Sequence, residues 1–158
     1  MIAGIDAPLS YNIGGGDRPA DAALRKKIIA AGLRPGSVMV PTMTRMVYLT
    51  LRGMAVARLL RAAHEKTAVV EVHPGAAMVL RGAPVDDVAA FKFDSKCRLN
   101  LLAWLEGQGL RNVAAVQEPT DHYVAACGAA LAAWKWHINE TKWLHRAVLP
   151  FHPFDFAC

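Results

Sequence analysis

Three acids stand where elements of this chain should end or begin: Asp6 after a short apolar run, Glu71 inside a second run, and Asp121 at the opening of the last helix. Carboxylates gathered at one sheet edge can hold Mg²⁺ or Mn²⁺, which prefer oxygen ligands, and such an ion activates water for attack on a phosphodiester. Arg18, Asp21 and Arg25 follow Asp6 before any helix is well under way, which offers two guanidinium groups for contact with phosphate. His73 and His122 come two and one positions after Glu71 and Asp121, near enough to orient a ligating acid or serve as a general acid. Plainer readings stand beside each of these. Asp6 could cap turn amides, Glu71 between Val70 and Val72 could hold Arg18 or Arg25 in a structural ion pair, and histidines at element ends often act as caps.

The elements that must position these groups follow from composition and punctuation. Ile2 to Ile5 reads as a brief buried strand, and Pro8 with Gly14-Gly15-Gly16 stops it. Asp6 therefore falls at a carboxyl end, the edge where open α/β sheets collect ligands. Residues 20–31 have helical composition with Gly32 as the stop, and 43–63 reads as the longest helix of the first half. Thr67 to Val72 is β-branched and apolar, the composition of a strand buried on both faces in a parallel sheet. A short helix at 76–80 should follow, then a helical stretch over 86–106 interrupted near Phe91 to Asp94, a short strand at 113–116, and a helix from Thr120 or Asp121 to about Trp143. The order βααβαα(β)α favours an α/β sheet covered by helices, although two convincing strands are few for so many helices.

Composition narrows the class. With 158 residues the chain has single-domain length, enough to bury about 70 % of the unfolded surface. It is read as one domain over 1–158 with an extended C-terminal tail at about 145–158. The apolar share is 54 %, but no segment reaches the roughly 18 uninterrupted apolar residues of a membrane span. Met1 to Asp6 lacks the basic start and apolar stretch of a signal peptide. The expectation is a cytoplasmic protein without a membrane partner. Cys97, Cys127 and Cys158 are far apart and form no CxxC, which points to reduced thiols rather than a disulfide framework or zinc site. The net charge of +5 allows attraction to nucleic acid, but the basic residues are scattered. Tyr123, Trp134, Trp136 and Trp143 make the last helix aromatic, and the alanines from Ala125 to Ala133 suit close packing on the sheet.

Taken in order, GIDAPLS, RPADAALRK, TRMVYLTLRG, VVEVHPGAA and TDHYVAACGAALAA resemble the domain-of-unknown-function 429 family, predicted nucleases of the RNase H-like superfamily. In that family the IDAPL segment is the fourth strand, preceded by three antiparallel strands, the first with a metal-binding acid. The resemblance thus implies a truncated RNase H-like fold, with a small mainly parallel sheet and helices packed on it. It places Asp6, Glu71 and Asp121 as catalytic and metal-binding acids for Mg or Mn, with Arg18, Asp21, Arg25, His73 and His122 around phosphate or substrate. It also exposes a departure, because the family's D-H-E-L-D-A reads Asp121-His122-Tyr123-Val124-Ala125-Ala126 here, with Ala125 in place of the second Asp.

Two functions compete on these residues. One is a metal-dependent nuclease-like hydrolase acting on phosphodiesters, with impaired catalysis; the other is a degenerate relative that binds nucleic acid or a protein without turnover. Under either, Ile2 to Ile5 would be an uncovered apolar edge, and pairing with the same strand of a second copy would cover it.

Overall fold

The computed structural model describes all residues, 1–158. Strand β1 (Ile2–Ile5) pairs in parallel with β2 (Ala68–Val72), Ile2 beside Ala68 and Ile5 beside Glu71. Parallel neighbours require a long return path. The chain makes it through α1 (Pro19–Ala30), one turn of 3-10 helix at Pro35–Ser37, and α2 (Met46–Ala63). After β2 come α3 (Pro74–Val79), α4 (Val85–Ala90), α5 (Ser95–Gly107), α6 (Asp121–His137), β3 (Leu144–His145) and β4 (Phe156–Ala157).

The sheet has four strands in the order β1-β2-β4-β3. Strand β4 runs parallel to β2, with Glu71 beside Phe156 and Val72 beside Ala157, and β3 is antiparallel to β4. The result is an α/β fold with a small, mostly parallel sheet, as expected. The strands missing from the sequence reading are β3 and β4. The segment at 145–158, expected as an extended tail, turns back at an isolated bridge between Val148 and His152 and places Phe156, Ala157 and Cys158 in the core. Two-residue strands leave no alternating pattern to read.

Other boundaries moved for local reasons. Residues 113–116 form turns rather than a strand, in a connection that holds Asn112 at a positive φ of 61° and is tied to its flanking helices by Glu106 and Tyr123. Helix α6 ends at His137 rather than Trp143. Asn139 is left-handed, its N–H reaches the Trp136 carbonyl and the Glu140 N–H reaches Lys135, the double closure that stops a helix when glycine or asparagine follows it. Trp143 is thereby freed to meet Phe156 edge-on at 5.1 Å. The interruption expected at Phe91 to Asp94 is present, with Asp94 accepting from the Lys96 N–H at 2.8 Å to open α5.

Alternation along β2 separates two cores. Val70 and Val72 face the main one with Leu24, Met78, Leu102 and Leu131, whereas Val69 meets Leu9 and Ala57 on the other side. Helix α6 lies against β1 at Gly4, where a Cβ would stand 2.6 Å from the Ala129 carbonyl oxygen and 2.9 Å from the Ala133 Cβ. Helix α2 covers the opposite side through Gly53, whose missing Cβ would fall 2.7 Å from that of Ala7.

Candidate functional site

The residues singled out in the sequence divide into two groups. The first is a buried network around Arg18, 3 % exposed, with Glu71 at 3 % and Asp21 at 2 %. Arg18 Nη1 donates to Glu71 Oε2 at 2.8 Å and to Ser10 Oγ at 3.0 Å, and Nη2 donates to Glu71 Oε1. Its Nε reaches Asp21 Oδ2 at 2.9 Å and Nη2 reaches Asp21 Oδ1 at 2.7 Å. All five guanidinium donors are thus used. The Leu9 N–H adds a bond to Glu71 Oε2 at 2.8 Å, the main-chain N–H of Arg18 bonds Asp21 at 3.0 Å, and the Phe156 ring lies 5.6 Å from the guanidinium.

Burial works against the charge on Arg18, but its bonds to Glu71 and Asp21 outweigh that and hold its pKa above the ordinary value. Glu71 was expected to ligate a metal with Asp6 and Asp121. Its position between Val70 and Val72 turns it to Arg18 instead, and both of its oxygens are taken up there. The ion-pair alternative describes what this carboxylate does.

The network continues to the C-terminal segment. Ser10 Oγ accepts from Arg18 and is hydrogen-bonded to His152 Nδ1, 2.8 Å away. Burial lowers the His152 pKa first, and Arg18 and His145 lower it further. A histidine that resists protonation when folded contributes stability above its unfolded pKa and loses that contribution as pH falls through it. Stability to urea is expected to drop below about pH 6.5, and His152→Asn should flatten that slope. An unchanged pH profile in the variant would separate His152 from the network.

The second group lies at the carboxyl end of β1. Asp6 remains exposed as a residue, yet protein packed about its carboxyl raises the pKa, an effect opposed by its neighbours His73, Lys92 and His122. His73 is engaged at both nitrogens. Nδ1 accepts from the Ala76 N–H at 3.0 Å, capping α3, and Nε2 donates to the Ser37 carbonyl at 2.6 Å. His122 and Lys92 are exposed, and Asp6 is left with two side chains suited to an anion.

Asp121 opens α6 as its first residue, where a negative charge suits the helix dipole, and Thr120 provides the cap by accepting from the Tyr123 N–H at 3.1 Å. Arg25 does not face the acids. It forks onto Asp17 and also donates to the Val38 carbonyl at 2.9 Å, and Asp17 is held below the ordinary carboxylate range by it. No group of three or more His, Cys, Asp or Glu is placed so that it could hold a metal ion.

Ser10, His152, Lys92 and Asp17 are the partners that sequence reasoning missed. Asp17 carried a readable signal, since it precedes Arg18 directly and stands eight residues before Arg25. Lys92 sits in the α4–α5 break that composition did show. Nothing local in Pro150-Phe151-His152-Pro153 announces that His152 returns to Ser10.

A small, mostly parallel sheet with helices packed on it makes this an α/β protein. The family model described as "Protein of unknown function (DUF429)" matches residues 1–148, and the chain belongs to that family. Neither the curated proteins nor the solved structures include a match to this chain.

Proposed function

We propose that this chain is a phosphodiester-binding relative of a metal-dependent nuclease, one that engages nucleic acid at the carboxyl end of β1 with little or no turnover. The observation that carries the reading is the division of the acids. Glu71 is committed to Arg18 and Leu9, which leaves Asp6 beside Lys92 and His122. Two-ion hydrolysis depends on several carboxylates around ions about 4 Å apart. The residues present do not fit such a Mg²⁺ or Mn²⁺ site, for Asp6 has Lys92 and two histidines as its neighbours, no group of three or more His, Cys, Asp or Glu comes together, and Ala125 stands where the resembled pattern has an acid.

The cluster is better suited to an anion. Lys92 and His122 attract a phosphate oxygen, and Asp6, with its raised pKa, can donate a hydrogen bond to that oxygen in its protonated form. The net charge of +5 favours a polyanion over a small ester. Open α/β sheets collect ligands at the carboxyl ends of their strands, which supports the same location.

The edge position of β1 also supports a second copy paired along Ile2–Ile5. Light scattering is expected to give the mass of two chains, and a monomer at working concentration would remove this part of the reading.

A fluorescent single-stranded oligonucleotide titrated with the chain tests the main proposal. Saturable anisotropy is expected, weakening by about tenfold with Lys92→Glu, of the order for losing one charge-assisted contact and gaining a repulsive one. Binding that ignores Lys92 would move the site elsewhere. Efficient cleavage of the oligonucleotide with Mn²⁺ would restore the nuclease reading.

A further inference from the structure

From Ala22 to His64 the chain contains no Asp or Glu, while Arg45, Arg52, Arg58 and Arg61 fall at the start of α2 or along it. All four are exposed and none belongs to an ion pair. Helix α2 buries a narrow strip, Thr50, Gly53 and Ala57. The outward face is apolar: Tyr48 is 73 % exposed, Leu59 68 % and Leu51 54 %. At 100° per residue, Leu51, Ala55, Tyr48 and Leu59 line one stripe, with Arg58 along one border and Arg52 and Arg45 along the other.

We propose that this face of α2 docks on an anionic phospholipid surface. Charge and apolarity together select the partner. A nucleic acid would use the arginines but leave Tyr48, Leu51 and Leu59 against water or phosphate. A second copy laid face to face would bring the arginine rows together with no acid on either helix to offset them. An anionic bilayer matches both features, since its headgroups take the arginines while the aliphatic stripe enters the interface, the mode of a basic amphipathic helix lying in the membrane plane. Arginine stems can extend along apolar surface and keep their heads in the headgroup layer. The attachment is peripheral, because no helix is long and apolar enough to cross a membrane. The face is separate from the Asp6 cluster and does not depend on it.

Co-sedimentation of the full chain with phosphatidylcholine vesicles containing about one third phosphatidylserine tests this. Binding to these vesicles but not to phosphatidylcholine alone is expected. The pair Leu51→Glu with Leu59→Glu, and separately Arg52→Glu with Arg58→Glu, should each lower the partition about tenfold or more, with unchanged circular dichroism because the replaced side chains are exposed. Three results would overturn the proposal: no binding to anionic vesicles, binding that the leucine pair leaves intact, or a two-chain mass that the leucine pair abolishes while vesicles capture nothing.

Discussion

Arg18→Ala is expected to destabilise the fold by about 3–5 kcal/mol, the cost of leaving buried charges without their partner. The residue supplies every donor that Asp21 and the two Glu71 oxygens receive from a side chain, and all three groups are almost fully buried. Arg18→Lys should rescue little. An ammonium has three donors on one atom and cannot fork onto two carboxylates and a hydroxyl at once. By contrast, replacing Arg18, Asp21 and Glu71 together with apolar residues of similar volume should recover much of the loss, since burying an ion pair is itself costly. Urea midpoints of the single and triple variants read both effects. A loss under about 1 kcal/mol in Arg18→Ala would mean that water reaches the network and that its surroundings are less closed than described.

Gly4→Val is expected to cost about 3 kcal/mol, at the upper end of ordinary overpacking. The obstacle at Gly4 is main chain. Its Cβ would lie 2.6 Å from the Ala129 carbonyl oxygen, and that atom moves only if α6 moves. Ala133→Gly added to Gly4→Val should therefore restore little, because it relieves the 2.9 Å approach to the Ala133 Cβ and leaves the carbonyl in place. Denaturation by urea gives the energy, and near-UV circular dichroism of Trp134 and Trp136 reports whether α6 has shifted. Full rescue by the double variant would show that the side-chain contact dominates. The consequence reaches the site, since α6 carries Asp121 and His122 at its start and β1 delivers Asp6.

How much of this was legible in the residues depends on how local the cause is. β1 and β2 were readable because a four- to five-residue apolar run bounded by Pro and Gly has few other uses. The α4–α5 break was readable from the sequence around Phe91 to Asp94. Strands β3 and β4 were not, because two residues carry no period and their strand character comes from contact with β2 and with each other. For Glu71 the sequence left two readings open, a metal ligand or an ion pair with Arg18 or Arg25, for a related reason. Position at a strand end says where a carboxylate begins, not what it faces, and Glu71 faces Arg18, which lies 53 residues earlier. Asp6 and His122 are 116 residues apart and only the fold brings them together, whereas His73, read as an orienting group or general acid, uses its two nitrogens on α3 and the 3-10 turn. His152 shows the limit most plainly, since its partner Ser10 is 142 residues away.

The central claim is that Glu71 has left the acidic set and that Asp6 with its cationic neighbours binds phosphate without a resident pair of ions. Calorimetric titration of the chain with Mn²⁺, beside Asp6→Asn, tests it most directly. The account predicts no saturable heat with either protein and oligonucleotide binding that Mn²⁺ leaves unchanged. Tight, saturable Mn²⁺ binding abolished by Asp6→Asn would contradict it and favour the metal-dependent hydrolase reading.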